Sequence, residues 1–233
     1  MKIFSKGFNF SQDGPGNRLV YHLSGCNMRC IWCSNPEGMD KNAGKDYSVD
    51  EIVAECVSCK PMFFSGGGVT FTGGEATLQF DELNVILSLL QKEGINTCIE
   101  TNGTAPRLVE LSPYIDYLIM DFKHFNSDKL REYTGIGNEN IMKNFETLSK
   151  SRSQLLIRIP LINGFNEDSP EGFATYFKNS SAKNVCFEFL PYHEYGKEKW
   201  KTEYKVKNGF INGKILKEFI DTFQKYDLTV INT

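Results

Sequence analysis

The sequence predicts an α/β protein: a partial (β/α)6 barrel of parallel strands, with residues 1–233 as a single domain. Short β-rich segments alternate with amphipathic helical segments, which favours one parallel sheet over two domains. Most of the predicted strands are apolar on both faces, as expected of parallel strands covered by helices. The polar motifs follow predicted strand ends, where such folds place their functional sites.

Each element is predicted from local pattern. The predicted strands are Leu19–Ser24, Val69–Thr72, Asn96–Thr101, Tyr117–Phe122, Leu155–Leu161, Val185–Leu190 and Leu228–Ile231. The predicted helices are Val49–Lys60, Phe80–Glu93, Asn140–Lys150, Ser169–Lys178 and Lys214–Tyr226. The first helix follows Ser48, which forms an S-x-x-E capping box with Glu51. No internal repeat or low-complexity linker interrupts the alternation.

Composition narrows the class of protein. The net charge is −3 and no block of Lys and Arg stands out, which argues against nucleic acid or an anionic membrane surface as partner. No apolar run is long enough for a signal peptide or a membrane span. The seven cysteines are odd in number and unevenly spread, unlike a secreted disulfide framework. We therefore expect a cytoplasmic protein.

Three cysteines near the N-terminus carry the main functional signal. Cys26, Cys30 and Cys33 are spaced C-x3-C-x2-C, and the next cysteine is Cys56. Structural zinc sites and ordinary four-iron clusters use four protein ligands. Three thiolates around a [4Fe–4S] cluster leave one iron open to a small molecule. A zinc site and unrelated thiols are the alternative interpretations.

A glycine motif follows the second predicted strand. Gly73 and Gly74 come directly after Thr72 and are followed by Glu75. Glycines at a strand end let the backbone approach a ligand closely. Alone the motif is typical of a turn, but its place after a three-cysteine loop makes it specific.

The combined motifs resemble the glycyl radical enzyme activating enzymes of the radical S-adenosylmethionine (SAM) superfamily, especially the pyruvate formate-lyase activating enzymes. The resemblance runs almost end to end. One matching segment is the loop Ser24–Glu37, which carries the three cysteines and is here named the cysteine loop. The other matching segments are Asp13–Gly16, Ser65–Thr70, Thr72–Ala76, Thr97–Cys98, Thr101–Gly103, Met120–Lys123, Leu190–Glu194 and Gly196–Trp200. The loop Ser34–Met39 departs from the pyruvate formate-lyase activators and is more similar to activators of other glycyl radical enzymes.

This resemblance implies a reaction and its partners. The three cysteines would hold one [4Fe–4S] cluster, and SAM would chelate the open iron through its amino and carboxylate groups. The reduced cluster would cleave SAM to a 5′-deoxyadenosyl radical, which would remove a hydrogen from a glycine Cα of a glycyl radical enzyme. A flavodoxin or ferredoxin is the expected electron donor, and a monomer is the expected state.

The resemblance also implies SAM-binding residues. Trp32 would lie against the adenine, although a purely packing role is an alternative that does not exclude this one. Asn35 matches a position close to SAM. Gly73, Gly74 and Glu75 would meet the methionine amino group, with Glu75 as acceptor.

Three further residues are expected to bind SAM or to support its site. Arg158 lies inside an apolar strand, where a guanidinium needs an anionic partner: SAM, a site carboxylate, or a purely structural ion pair. Lys123 poses the same choice. His193 matches a position that contacts SAM or substrate, whereas His22 and His124 are interpreted as structural.

Two more roles come from the resemblance. Asp13 would contact the glycine loop of the substrate, with a turn-forming role as the alternative. Glu100, Thr101 and Asp121 match the ligands of a monovalent cation beside the SAM carboxylate, but Glu100 replaces a shorter aspartate.

The remaining cysteines are interpreted as packing residues. Cys56 and Cys59 could suggest a second metal site or a redox pair, but they share one helical face with Ile52 and Val53. A ferredoxin-like insert would need about eight cysteines, so a compact, one-cluster form is expected. Cys98 and Cys186 are expected in the core; the sequence predicts no further cysteine role.

Two rival functions stay open. One is a radical SAM enzyme that acts on a small molecule, similar to the carboxydeazaguanine synthases. The other is an electron-transfer or zinc-binding module, which would not cleave SAM. The sequence does not name the glycyl radical enzyme that would be the partner.

Overall fold

A computed structural model describes residues 1–10, 12–178 and 184–231. Its described strands form one sheet with the order β3-β1-β2-β4-β5-β6-β7-β8. The strands are β1 (Lys2–Asn9), β2 (Arg18–Leu23), β3 (Lys45–Asp46), β4 (Gly68–Gly73), β5 (Thr97–Thr101), β6 (Tyr117–Asp121), β7 (Gln154–Leu161) and β8 (Val185–Pro191). Strand β1 pairs antiparallel with β2 and β3, and the pairings from β2 through β8 are all parallel.

Helices connect the parallel strands. They are α1 (Val49–Ser58), α2 (Phe80–Lys92), α3 (Ser127–Thr134), α4 (Glu139–Leu148), α5 (Pro170–Lys178) and α6 (Gly213–Lys225). The connection between β5 and β6 is instead a 3-10 segment, Leu108–Tyr114. The predicted capping box of α1 is present, because Ser48 Oγ accepts from the Glu51 N–H while the Glu51 carboxylate accepts from the Ser48 N–H.

The open, mostly parallel sheet confirms the predicted partial barrel. Its described edges are β3 and β8, which do not pair with each other. The antiparallel strand β1 was not predicted, because four of its consecutive residues are exposed and show no alternation of burial. Helix α3 was also missed, although Asn126 caps its start and Gly135 its end. The predicted strand Leu228–Ile231 is reduced to one parallel bridge between Val230 and Phe187.

The two faces of the sheet differ in composition. The outer face packs against the helices, as where the Phe187 and Phe177 rings lie 4.7 Å apart. On the inner face, Cys98, Ile119 and Leu156 form a small separate apolar cluster toward the strand starts. Charged side chains follow toward the carboxyl ends of the same strands. The inner face is therefore apolar toward the strand starts and polar toward the carboxyl ends of the strands, where a site is expected.

Among the described residues, none of the helices has the length and apolar character needed to cross a membrane. The assignment of residues 1–233 to one domain stays a prediction.

Candidate active site

A cavity lies at the carboxyl ends of the parallel strands, and most of the predicted site residues line it. They are Cys26, Cys30, Trp32, Cys33, Asn35, Gly73, Gly74, Glu100, Thr101, Asp121, Lys123 and His193. Residues as distant in sequence as Cys26 and His193 meet here, because parallel strands bring their carboxyl ends to one edge of the sheet. Glu75, Arg158 and Asp13 are outside this lining.

The three cysteines are free thiols in one wall of the cavity. Cys30 is buried, while Cys26 and Cys33 are half-buried. Burial raises the pKa of Cys26 to about 11 and that of Cys30 to about 12. Coordination to a metal reverses this preference, because the bound thiol loses its proton. In the described part of the chain, no three His, Cys, Asp or Glu side chains surround a single metal-ion position.

Hydrogen bonds tie the cysteine loop to neighbouring elements. Asn27 Nδ2 donates to Thr104 Oγ1 at 2.7 Å, and Asn102 Nδ2 donates to Asn27 Oδ1 at 2.9 Å. The Arg29 N–H donates to the Thr134 carbonyl at the end of α3, at 2.7 Å. The loop is therefore held from the β5 end and from α3, which limits how far the thiols can move.

The glycines after β4 are required by the protein's own packing. A Cβ at Gly73 would lie 2.3 Å from Leu23 N, and the φ of Gly73 is +118°. A Cβ at Gly74 would lie 2.2 Å from Gly25 O and 2.3 Å from Gly38 O. The missing side chains thus let the β4 end pack against the cysteine loop. Both glycines nevertheless line the cavity, although the Gly74 N–H already donates to the Leu23 carbonyl at 2.8 Å.

Glu75 is engaged inside the protein. It is 1% exposed, and its Oε1 accepts from Thr101 Oγ1 at 2.7 Å and from the Thr77 hydroxyl at 2.5 Å. Its Oε2 accepts from the Asn102 N–H at 2.7 Å. In this arrangement Glu75 connects the ends of β4 and β5. Its expected contact with a methionine amino group stays a prediction.

Trp32 and Asn35 both lie in the cysteine loop. The Trp32 ring packs 4.7 Å from the Phe165 ring and also lines the cavity, so packing and ligand contact are compatible. Asn35 Oδ1 accepts from Lys199 Nζ at 3.0 Å.

Arg158 joins three parts of the inner face. It is 6% exposed, and its Nε donates to Glu188 while its Nη1 donates to Glu100, each at 2.7 Å. Its Nη2 donates to the Gln12 carbonyl at 2.5 Å. Burial alone would lower the pKa of Arg158, but Glu100 and Glu188 outweigh it and the pKa is raised. Of the partners expected for Arg158, the structure shows two carboxylates, Glu188 and Glu100, and Glu100 lines the cavity.

The predicted cation ligands already have partners. Asp121 Oδ2 accepts from Lys123 Nζ at 2.7 Å. Burial alone would lower the pKa of Lys123, but the Asp121 carboxylate more than offsets it and the pKa is raised. Burial raises the pKa of Glu100 to about 7, although Arg158 opposes the shift. A monovalent cation at Glu100, Thr101 and Asp121 would therefore compete with two side-chain cations.

His193 and Asp13 differ in position. The His193 ring lines the cavity and stacks on the Tyr195 ring at 4.3 Å, and burial lowers the pKa of His193. Asp13 accepts from Asn9 Nδ2 at 2.5 Å, and its carbonyl accepts from Thr70 Oγ1 at 2.6 Å. Asp13 thus holds the β1–β2 loop, and its expected contact with a substrate stays a prediction.

Sequence reasoning missed several contributors. Asn102 lines the cavity and bonds to the cysteine loop, and Tyr192 lines the cavity beside His193. Their positions just after β5 and β8 were the available signal. Cys186 was expected in the core, but it is half-buried and lines a second cavity near the strand starts. Cys56 and Cys98 are fully buried, as predicted.

The fold and this site define the class. Residues 20–177 match the profile described as "Radical SAM superfamily", and the chain belongs to that superfamily. It is an enzyme of the radical SAM type. The pyruvate formate-lyase-activating enzyme of Staphylococcus aureus (strain USA300) is 35% identical over 201 residues, which cover 82% of this chain and 80% of that relative.

Solved structures agree with this assignment. A domain of pyruvate formate-lyase-activating enzyme from Bacteroides vulgatus has a TM-score of 0.59 and 25% identity, covering 71% of this chain and 98% of that one. Streptococcus suis SuiB, solved bound to S-adenosylmethionine, has a TM-score of 0.71 and 15% identity, covering 92% of this chain and 49% of SuiB. The second likeness shows the fold alone.

The residues present fit the cluster and SAM that the superfamily implies. Three unpaired thiols share one wall, as an iron–sulfur cluster with one open iron requires. The glycine backbone of the β4 end and the Asp121–Lys123 pair line the same cavity. Both charged and hydrogen-bonding groups are thus available to an amino-acid moiety.

Proposed function

We propose that this enzyme activates a glycyl radical enzyme by generating a radical on a glycine of that partner. The observation that carries the proposal is the meeting of three free thiols with the strand-end motifs in one cavity. The likeness to pyruvate formate-lyase-activating enzymes over most of the chain supports the same activity.

When bound, the cluster and SAM supply an electron transfer and a 5′-deoxyadenosyl radical able to take a hydrogen from a glycine Cα. The protein provides binding, orientation and exclusion of water. Cys26, Cys30 and Cys33 would hold the cluster. Trp32 would offer a flat apolar surface to the adenine, and the backbone of Gly73–Gly74 would hydrogen-bond to the methionine moiety.

Charged residues of the cavity would orient SAM. Lys123 would pair with the SAM carboxylate, because it lines the cavity and its Nζ already binds the Asp121 carboxylate there. His193 lines the same cavity, where burial lowers its pKa and so favours the neutral ring. Arg158 would act through Glu100, whose carboxylate it holds. Asn35 would contact SAM from the cysteine loop.

The partner and the setting belong to the same proposal. We infer a protein substrate that presents a glycine loop, with Asp13 near its path, and a flavodoxin or ferredoxin as electron donor. Seven free cysteines suit a reducing compartment such as the cytoplasm. A monovalent cation at Glu100, Thr101 and Asp121 would share the Asp121 carboxylate with Lys123 and the Glu100 carboxylate with Arg158.

Activation of a panel of glycyl radical enzymes tests the proposal. The reconstituted enzyme, SAM and a reductant are combined without oxygen with each candidate partner, and electron paramagnetic resonance is recorded. We expect a glycyl doublet with one partner and one 5′-deoxyadenosine formed per radical. SAM cleavage that yields a modified small molecule, with no protein radical across the panel, would favour the small-molecule rival and contradict the proposal.

A further inference from the structure

The chain that follows β8 folds back onto the cysteine loop. Trp200 Nε1 donates to the Cys33 carbonyl at 3.0 Å, across 167 positions of sequence. Lys199 Nζ donates to Asn35 Oδ1 at 3.0 Å and lies 3.4 Å from Glu37 Oε1. These contacts come from one short segment, Gly196–Trp200, here named the 196–200 turn.

Gly196 lets the two backbones touch. A Cβ at Gly196 would lie 2.4 Å from Ser34 Cα and 2.6 Å from Ser34 O. The φ of Gly196 is −90°, which any residue can adopt. Close approach to the cysteine loop, rather than backbone conformation, therefore explains a glycine at this position.

Trp200 is itself held in place on the side of the cavity. Its ring contacts the Tyr204 ring edge-on at 5.7 Å. The Tyr204 hydroxyl lies 2.8 Å from the hydroxyl of Tyr192, which is 7% exposed and lines the cavity. The indole N–H is thus aimed at Cys33 by a packed aromatic pair, which is how a supporting residue fixes the geometry of a site.

The topology gives these contacts their importance. In the described sheet, β2 and β8 are the first and last parallel strands, and they do not pair. The cysteine loop follows β2, while the 196–200 turn follows β8. In an open barrel the distance between these two ends is not set by strand pairing, so side-chain contacts must set it.

We propose that Trp200 is a positioning residue for Cys33, and that the 196–200 turn fixes the end of the cysteine loop against the last strand. This inference extends the proposed function. It rests on that function only for the identity of the group that Cys33 would hold. Trp200 acts through the Cys33 backbone and keeps the third thiol oriented toward the cavity, where the three cysteines would hold the cluster.

Hydrogen exchange of the reconstituted full-length protein, measured by mass spectrometry without oxygen, tests the proposal. In Trp200→Phe the aromatic packing stays but the N–H is lost. We expect amides 33–39 to exchange about 2- to 10-fold faster, as for one lost hydrogen bond, and the SAM-dependent change in the spectrum of the reduced cluster to weaken. Lys197→Gln is the matched control, because Lys197 Nζ contacts Glu194, just before the 196–200 turn, and not the cysteine loop. Exchange of the same amides in this variant should equal that of the parent.

A second variant keeps the test decisive if Trp200→Phe folds poorly. Gly196→Ala adds a Cβ against Ser34 and leaves the indole intact, and it should increase exchange of the same amides. Parent-like protection of amides 33–39 in both variants would overturn the proposal. Faster exchange together with no glycyl radical from any partner would sustain this inference while contradicting the proposed function.

Discussion

At the residue scale, the glycines after β4 show how a local motif has two uses. Gly74 packs against the backbone of Gly25 in the cysteine loop and of Gly38 just after it, and it also lines the cavity. The sequence motif was interpreted as a close approach of the backbone to a ligand, with an ordinary turn as the alternative. The structure adds that the same absence of side chain lets two loops of the site pack together.

Gly74→Ala should disrupt this packing. The added Cβ would meet Gly25 O at 2.2 Å, so we expect the free energy of unfolding to fall by about 1–3 kcal/mol and the iron content to fall. Urea unfolding and iron analysis measure both. Gly213→Ala is the matched control, since nothing lies within 4 Å of its Cβ position. Full iron content and unchanged unfolding in Gly74→Ala would contradict the packing role.

Another residue, His124, should make stability depend on pH. It is 1% exposed, and burial lowers the pKa of His124 to about 4 from an ordinary value near 6.5. Between these values the unfolded chain binds a proton that the folded one does not. Stability is therefore lost as the pH falls toward 4, by about 2 kcal/mol between pH 7 and pH 4.5.

His124→Asn isolates this effect. In the parent protein the Asn126 N–H donates to His124 Nδ1 at 2.9 Å. The side-chain amide oxygen of the variant can still accept this hydrogen bond, but the amide does not titrate. Urea unfolding of the cluster-free protein at both pH values should show the smaller loss in the variant. Equal losses in the two proteins would show that His124 does not carry the pH dependence.

At the element scale, Arg158 joins strands that the sheet alone would hold only by backbone pairing. From β7 it reaches Glu100 on β5 and Glu188 on β8, and it also binds the β1–β2 loop at Gln12. Glu100 and Arg158 are 58 positions apart and separated by β6. This ion-pair network thus links β5, β7 and β8 on the inner face, beside the cavity that Glu100 lines.

Arg158→Met should destabilise the protein strongly. Arg158→Met removes a buried positive charge that pairs with Glu188 and Glu100, and breaking a buried ion pair typically costs about 3–5 kcal/mol. Urea unfolding of the cluster-free chain measures the change. Adding Glu188→Gln to Arg158→Met should recover part of the loss, because one buried carboxylate charge is then removed. A double variant no more stable than Arg158→Met would argue against the charge explanation.

At the scale of the whole molecule, the cavity exists because an open sheet brings its strand ends together. The cysteine loop closes one side and the segment after β8 closes the other. Helix α1, which follows the cysteine loop, buries Cys56 on its inner side. We therefore expect two roles for the cysteines of this chain, cluster binding and packing, which metal analysis can separate.

Cys30→Ala should lose most of its iron and sulfide, whereas Cys56→Ala should retain the parent content of about four irons per chain. Cys30 lines the cavity, whereas Cys56 lies on α1 and contacts Tyr21. The protein is purified without oxygen and both elements are quantified. A normal cluster in Cys30→Ala, or its loss in a well-folded Cys56→Ala, would contradict the ligand assignment.

Local pattern predicted most of the elements well. The capping box placed the start of α1 at Val49, where the structure has it. Apolar runs located the parallel strands because both faces of these strands are covered. The antiparallel β1 and the short α3 escaped, since the former is largely exposed and the latter has only eight residues.

The sequence by itself determined the alternation of strands and helices, the three-thiol spacing and the glycine motif, because each depends on residues close together in the chain. Only the tertiary structure decided which side chains meet. In the structure Arg158 pairs with two carboxylates, the Glu75 carboxylate accepts hydrogen bonds within the protein, and Trp200 donates to the Cys33 carbonyl. Contacts across such separations depend on how the open sheet curves and packs, and no local pattern encodes that geometry.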